Sequence, residues 1–211
     1  MQVIKNIIFD LGGVIIDLNH AEAVRRFKDL GVTDADYLLD PYEQKGLFLD
    51  FESGRADLPG FCRALSLRNG KEFKEEDVAH AWMGFIVEAP QYKLDYILEL
   101  RKRSYTVCLL SNTNPVVLGW AKTKAFSEAG KPITDYFDKI YASFELGITK
   151  PDIRIFEFVL KDNVFLPSET LFVDDGEKNV VAGQSLGMRV LQPRNGDDWR
   201  EKVERLLAIG Q

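Results

Sequence analysis

The 211-residue chain is 45% hydrophobic and 28% charged, with 33 acidic against 27 basic residues and a formal net charge of −6, the profile of a globular protein long enough to bury a core without staples. That balance offers no basic footprint for nucleic acid, and no apolar run approaches the ~20 residues of a membrane span. Only Cys62 and Cys108 are present, in no metal-type spacing; with no secretory leader, they predict reduced, buried thiols in a cytoplasmic protein rather than a disulfide.

The run from Val3 to Phe9, broken only by Lys5 and Asn6, ends in Asp10-Leu11-Gly12-Gly13. Such a run predicts a strand buried on both faces of a parallel sheet. Its carboxyl end is where open α/β sheets take their ligands, and Asp10 sits there. Taken alone, the same residues also suit an ordinary Asp/Gly turn. From His20 to Glu88 the periodicity is helical and shows no strand. Ala23, Val24, Phe27 and Leu30 share a face, with Gly31 as a stop. Leu38 and Leu39, interrupted by Pro41, begin a second helix, and Leu47, Phe48 and Phe51 a third. After a break at Gly54 come Phe61, Leu65 and Leu67, then Val78, Trp82, Phe85 and Ile86 before Pro90. A helical block of this length is too long for a simple crossover and predicts an inserted module. The expected division is a core of residues 1–17 and 89–211 and a helical unit of residues 18–88.

Beyond it, strand and helix alternate. Leu94, Ile97, Leu98 and Leu100 suit a helix, and Tyr105 to Leu110 a strand. Ser111-Asn112-Thr113-Asn114-Pro115 is a polar turn into a helix over 116–126, with Pro115 near its start. Gly130 to Thr134 is read as loop and Lys139 to Ala142 as a strand. Pro151 opens a helix carrying Ile153, Phe156 and Leu160. Thr170 to Val173 is a strand ending in Asp174-Asp175. Val180, Val181 and Leu186 follow at near-helical spacing, Met188 to Leu191 is the last strand, and Trp199, Val203, Leu206 and Leu207 mark a tail helix.

Three strands thus end in Asp10, in Ser111-Asn112 and in Asp174-Asp175, and a parallel sheet brings such ends to one edge. Lys150, just ahead of a helix start, can lean over it. Clustered carboxylates repel unless a cation sits among them, and hard oxygen donors suit Mg²⁺. A lysine, a hydroxyl and nearby helix N-termini suit a phosphoryl group. The set reads as metal-assisted phosphoryl transfer.

With these motifs in order (Phe9-Asp10-Leu11-Gly12-Gly13-Val14, Leu110-Ser111-Asn112-Thr113, Thr149-Lys150-Pro151-Asp152 and Phe172-Val173-Asp174-Asp175), the chain resembles the haloacid dehalogenase superfamily. It is most similar to the β-phosphoglucomutase-like and sugar-phosphate phosphatase members that carry a small helical cap. The resemblance implies a Rossmann-like α/β core with the cap inserted, and a Mg²⁺-dependent phosphatase of a small phosphorylated metabolite, sugar phosphates first. It further implies Asp10 as the nucleophile forming an aspartyl phosphate, Ser111 and Asn112 at the phosphoryl group, and Lys150 neutralising charge there. Asp10, the Gly12 carbonyl, Asp175 and Asp174 (directly or through water) would be the metal ligands. One position departs from the family pattern: Gly12 stands where a second Asp usually serves as acid and base.

Arg55, beside Gly54 in a helix break of the cap, is either a solvated turn residue or a substrate contact, because the family's specificity loop is expected there. Asp17 is read as a hinge residue or a helix cap, His20 and His80 as surface residues, the three tryptophans as core, and Asp197-Asp198 as a helix start. Lys28 and Lys45 keep a phosphonate hydrolase open. A 2-haloacid dehalogenase would use the same nucleophile, but has no use for the Asp174-Asp175 pair. A phospho-receiver module would place its acidic pair on the first strand, the reverse of this order. The Gly12 departure leaves a catalytically weak phospho-ligand binding module as the alternative. The expected assembly is a monomer or weak homodimer, with neither nucleic acid nor membrane as partner.

Overall fold

The computed structural model describes residues 3–40 and 44–209. Its centre is a five-stranded sheet, every neighbouring pair parallel. The chain begins with β1 (Asn6–Phe9), and after a tight turn forms β2 (Asp17–Leu18). Five helices follow: α1 (His20–Asp29), α2 (Ala35–Leu38), α3 (Leu47–Glu52), α4 (Leu58–Asn69) and α5 (Glu75–Trp82). The chain returns through β3 (Ile86–Glu88), then α6 (Gln91–Lys102), β4 (Thr106–Ser111), α7 (Pro115–Ala121), β5 (Lys139–Ala142) and α8 (Ser143–Leu146). It closes with α9 (Ile153–Asp162), β6 (Thr170–Val173), α10 (Glu177–Ser185), β7 (Arg189–Leu191) and α11 (Arg200–Ala208).

Strand order is β5-β4-β1-β6-β7. The chain works outward from β1 to β5 on one side, then crosses to β6 and β7 on the other. The crevice of such a sheet opens where the winding reverses, here at the carboxyl end of β1. Alternation along β1 explains its double burial. Ile7 and Phe9 join one apolar cluster with Leu109, Val173 and Trp199, while Ile8 joins another with Cys108, Leu110, Phe156 and Phe172.

The helices α1 to α5 close over a third cluster of their own. Phe27, Phe48, Phe51, Phe61 and Trp82 meet there, with Phe48 and Phe61 edge to face at 5.0 Å and Phe51 stacked on Phe61 at 4.9 Å. One expectation fails at the exit of this block. Ile86–Glu88 is a strand, not the tail of a helix, and pairs antiparallel with β2, Asp17 opposite Glu88. Asp17 is not the helix cap: Asn19 accepts from the Glu22 N–H at 3.1 Å, and Asp17 meets the fully buried Lys93 ammonium at 2.8 Å.

Smaller differences follow from tertiary packing. Leu67 and Val181 are exposed despite helical spacing. The helix after Pro115 stops at Ala121, and a separate 3₁₀ turn covers Lys124–Phe126. Another such turn, Ile133–Asp135, overlaps the end of the expected loop. The helix after Pro151 begins at Ile153, capped by Asp152. Pro41 lies outside the described residues. No helix among those described is long and apolar enough to cross a membrane.

Candidate active site

Register places the acidic residues. Phe9 lies level with Leu109 on one side and Val173 on the other, so Asp10 and Asp174 emerge together at the sheet edge. The Asp10 N–H donates to the Val173 carbonyl at 2.8 Å. One oxygen each of Asp10, Asp174 and Asp175 lies within 4.8 Å of the others.

Lys150 ties this edge together. Its buried ammonium reaches Asp10 Oδ1 at 2.8 Å, Asp174 Oδ2 at 2.5 Å and the Leu110 carbonyl at 2.9 Å. Asn112 holds the Lys150 backbone from both sides, donating Nδ2 to its carbonyl at 2.8 Å and accepting its N–H at 2.7 Å. Asp174 is fully buried, and its other oxygen accepts from the Gly176 N–H and from Asn179 Nδ2 at 2.8 and 2.9 Å. Asp10 spends only Oδ1 on Lys150. Its second oxygen has no hydrogen bond among the described residues and stays available to a ligand.

Electrostatics favours a cation here. Burial pushes the Asp10 carboxyl up to about 7; Lys150 opposes that rise, and Asp174 and Asp175 add to it. Burial, then Asp174, brings Asp175 up to about 6, again against Lys150. Burial alone would depress the Lys150 ammonium, but Asp10 and Asp174 outweigh it and hold it above its ordinary value. One lysine leaves three crowded carboxylates under-neutralised. The all-oxygen donor set fits a hard divalent ion such as Mg²⁺.

Gly13 explains part of the double glycine. Its φ is +72°, and a Cβ there would stand 2.2 Å from Asp175 Oδ2. Gly12 is different. Its backbone is ordinary, and a Cβ would meet only the end of the Leu18 side chain, at 2.9 Å.

Above this edge lies a cavity of about 220 Å³. Its floor includes Asp10, Gly12, Ser111, Asn112, Lys150 and Asp175, and its roof Gln44, Leu49, Glu52, Trp82 and Phe85. Ser111 is buried and sits on this floor, its hydroxyl 3.4 Å from the Asn112 carbonyl. Arg55 does not line the cavity. It is exposed and pairs with Asp50 at 2.7 Å, so the structure does not bring it to the other candidates. His20 bonds the Leu39 carbonyl and His80 is exposed, both away from the cavity.

Three residues went unread as site residues. Asn179 stands in the first turn of α10, where the helix start brings its amide back to Asp174. Gln44 carried no pattern. Glu52, a charged residue directly after Phe51, is buried and lines the cavity. Burial, with Asp10 adding to it against Lys150, pushes its carboxyl up to about 8. The end of α3 is clamped to the core: Ser143 Oγ donates to the Glu52 carbonyl at 2.6 Å. At Gly54, φ +72°, a Cβ would strike the Phe144 carbonyl at 2.1 Å.

A buried carboxylate, a buried ammonium and an acidic cluster at the switch point of a parallel sheet suit a hydrolase that acts on phosphoryl groups. The haloacid dehalogenase-like hydrolase model matches residues 4–187, and the chain belongs to that family. It is 50% identical over 205 residues to a D-ribitol-5-phosphate phosphatase of Bacteroides thetaiotaomicron, covering 97% of this chain and 99% of the relative. A HAD-like family hydrolase from Porphyromonas gingivalis superposes with a TM-score of 0.93 at 46% identity, covering 98% of each chain. A HAD family enzyme from B. thetaiotaomicron, solved with magnesium and inorganic phosphate, superposes with a TM-score of 0.86 at 36% identity, covering 94% of this chain and 98% of that one.

Proposed function

We propose that this protein is a Mg²⁺-dependent phosphatase of a small sugar or sugar-alcohol phosphate, with D-ribitol 5-phosphate the first substrate to assay. The observation that carries the reading is Asp10. Asp10 lines the cavity at the switch point, with one carboxylate oxygen held by Lys150 and the other without a hydrogen bond among the described residues. The relative at 50% identity supports the substrate class.

The Asp10 oxygen attacks phosphorus, a bond to phosphorus forms, and the bond to the alcohol oxygen breaks. The alcohol leaves with a proton taken from water, since Gly12 offers none. The hydroxide left by that water then attacks the aspartyl phosphate, releasing inorganic phosphate and restoring the carboxylate. Lys150 neutralises charge on both Asp10 and the phosphoryl group. The Ser111 hydroxyl and the Asn112 amide line the place where phosphoryl oxygens would bind. Asp10, Asp175 and the Gly12 carbonyl, with Asp174 directly or through water, would hold Mg²⁺, whose charge lets a phosphate dianion approach a carboxylate. Residues 18–88 act as the cap that covers this floor, and residues 1–17 with 89–211 as the catalytic core. The buried thiols of Cys62 and Cys108 support a cytoplasmic setting, and a cavity complete within one chain supports a monomer or weak homodimer.

The test is a panel of phosphorylated metabolites and an aryl phosphate, with and without Mg²⁺. Asp10→Asn should lower turnover on the order of 10⁴-fold or more while the protein stays folded, because the amide relieves repulsion in the cluster. Full activity in chelator, or retained turnover in Asp10→Asn, overturns the reading.

A further inference from the structure

The roof of the cavity holds polar groups that the protein itself leaves unpaired. Gln44 Oε1 and Trp82 Nε1 are buried without any hydrogen-bond partner, and both residues line the cavity. The Glu52 carboxyl, nine-tenths buried in the same roof, has no hydrogen bond or ion pair among the described residues. Buried polar atoms are paired in the great majority of proteins, so two such atoms, beside a Glu52 carboxyl without a hydrogen bond, mark where a ligand completes the hydrogen bonding around one small cavity.

Their chemistry selects the ligand. Gln44 Oε1 only accepts, the Trp82 N–H only donates, and the Glu52 carboxyl adds further polar oxygens to the same roof. A carboxylate or second phosphate would offer acceptors alone, leaving Gln44 unpaired, and would find no cation lining the cavity besides Lys150, already engaged. An ammonium would leave Trp82 unpaired, and an alkyl chain would leave all three. Hydroxyl groups donate and accept, and several in a row would satisfy all three. Resting on the phosphatase reading above, we infer that Gln44, Glu52 and Trp82 form a hydroxyl-recognition site that selects phosphate esters of a neutral, multiply hydroxylated chain over anionic or deoxygenated ones.

Glu52 is positioned for this by contacts that do not involve its carboxyl. Its carbonyl is held by Ser143, and the following turn lies against Phe144. Trp82 is fixed by ring contacts with Phe48, Phe51 and Phe85 at 5.5 to 5.7 Å.

The test compares D-ribitol 5-phosphate with 5-hydroxypentyl phosphate, which keeps the chain length and lacks the inner hydroxyls. The wild type should prefer the polyol by about tenfold or more in kcat/KM. Gln44→Met and Glu52→Met should each cut that preference by about tenfold, while Glu52→Gln, which still donates and accepts, should largely keep it. Trp82→Phe should weaken it too. If that variant fails to fold, the other two decide. A wild type that hydrolyses both esters equally well, or a preference unchanged in both methionine variants, overturns the inference and leaves the phosphatase reading standing. Hydrolysis of neither ester while another ester of the panel is hydrolysed overturns the inference alone, and hydrolysis of no ester in the panel overturns both.

Discussion

On the sheet side of the cavity the buried charged groups come already paired. Lys150 meets Asp10, Asp174 and a carbonyl, Asn112 grips Lys150, and Asp174 takes two further hydrogen bonds. On the helical side Gln44 Oε1 and Trp82 Nε1 have no partner, and the Glu52 carboxyl has none among the described residues. The two halves carry different duties. Groups that act on the reacting phosphoryl must be fixed before substrate arrives, because reorganising them during the reaction would add to the barrier. Groups that choose among substrates work by being left unpaired, so that the wrong ligand leaves them so.

The largest effect should come from cutting the paired side. Lys150→Met leaves Asp10 and Asp174 as buried carboxylates without their counter-charge, a loss of about 3–5 kcal/mol. Urea unfolding in metal-free buffer should show it, and Mg²⁺ should recover part. A variant as stable as wild type would mean that the lysine is not what holds the sheet edge together.

Next in size is a gain at Gly12. Because its backbone is ordinary and only the Leu18 side chain stands in the way, Gly12→Asp should fold with native-like melting. The new carboxyl would protonate the departing oxygen. Rapid-quench formation of the aspartyl phosphate should accelerate for alkyl phosphates, up to about 10²-fold, and hardly change for an aryl phosphate that leaves unaided. A folded variant with no such dependence on leaving group would refute the missing-acid account.

A third effect separates the halves by pH. The Glu52 carboxyl holds its proton in the folded protein up to about 8, against an ordinary value of 4.5. Between those values the native state binds a proton that the unfolded chain has lost, so stability falls as pH rises through the window. Facing Glu52 are Asp10, which raises its value, and Lys150, which lowers it. Glu52→Gln removes the titration. Relative to wild type in metal-free buffer, it should gain stability steadily from pH 5 to pH 8, each tenfold in proton affinity being worth about 1.4 kcal/mol. Parallel melting curves across that range would contradict a buried, proton-holding carboxyl.

Least of all should come from Arg55→Ala. Its exposed pair with Asp50 lies outside the cavity, and such pairs contribute little. Melting temperature and kcat/KM on every ester should stay within error. A loss confined to the best metabolite would restore the residue as a substrate contact.

The paired half was legible in the sequence because strands buried on both faces announce themselves as apolar runs. A carboxylate, or Ser111-Asn112, at the end of such a run must then lie at the sheet edge. Asp10, Asp174 and Asp175 needed no tertiary knowledge beyond a parallel sheet. The unpaired half was not legible. Trp82 falls on an apolar stripe and does pack there, and only its nitrogen has another use. Glu52 reads as the solvent side of α3 until Ser143 and Phe144 of α8 dock that helix end against the core. β3 was missed because three half-buried or exposed residues carry no alternation strong enough to name a strand. Its pairing depends on Asp17 and Leu18, far earlier in the chain.

That short pairing has a consequence of its own. Because Asp17 stands opposite Glu88, the chain leaves the core and re-enters it at adjacent points, and everything between is a loop hung from a closed stem. An insertion anchored this way can lengthen, shrink or be exchanged wholesale while both attachment points stay in place. The β2–β3 pairing closes that stem without using any of the five strands or their acidic edge.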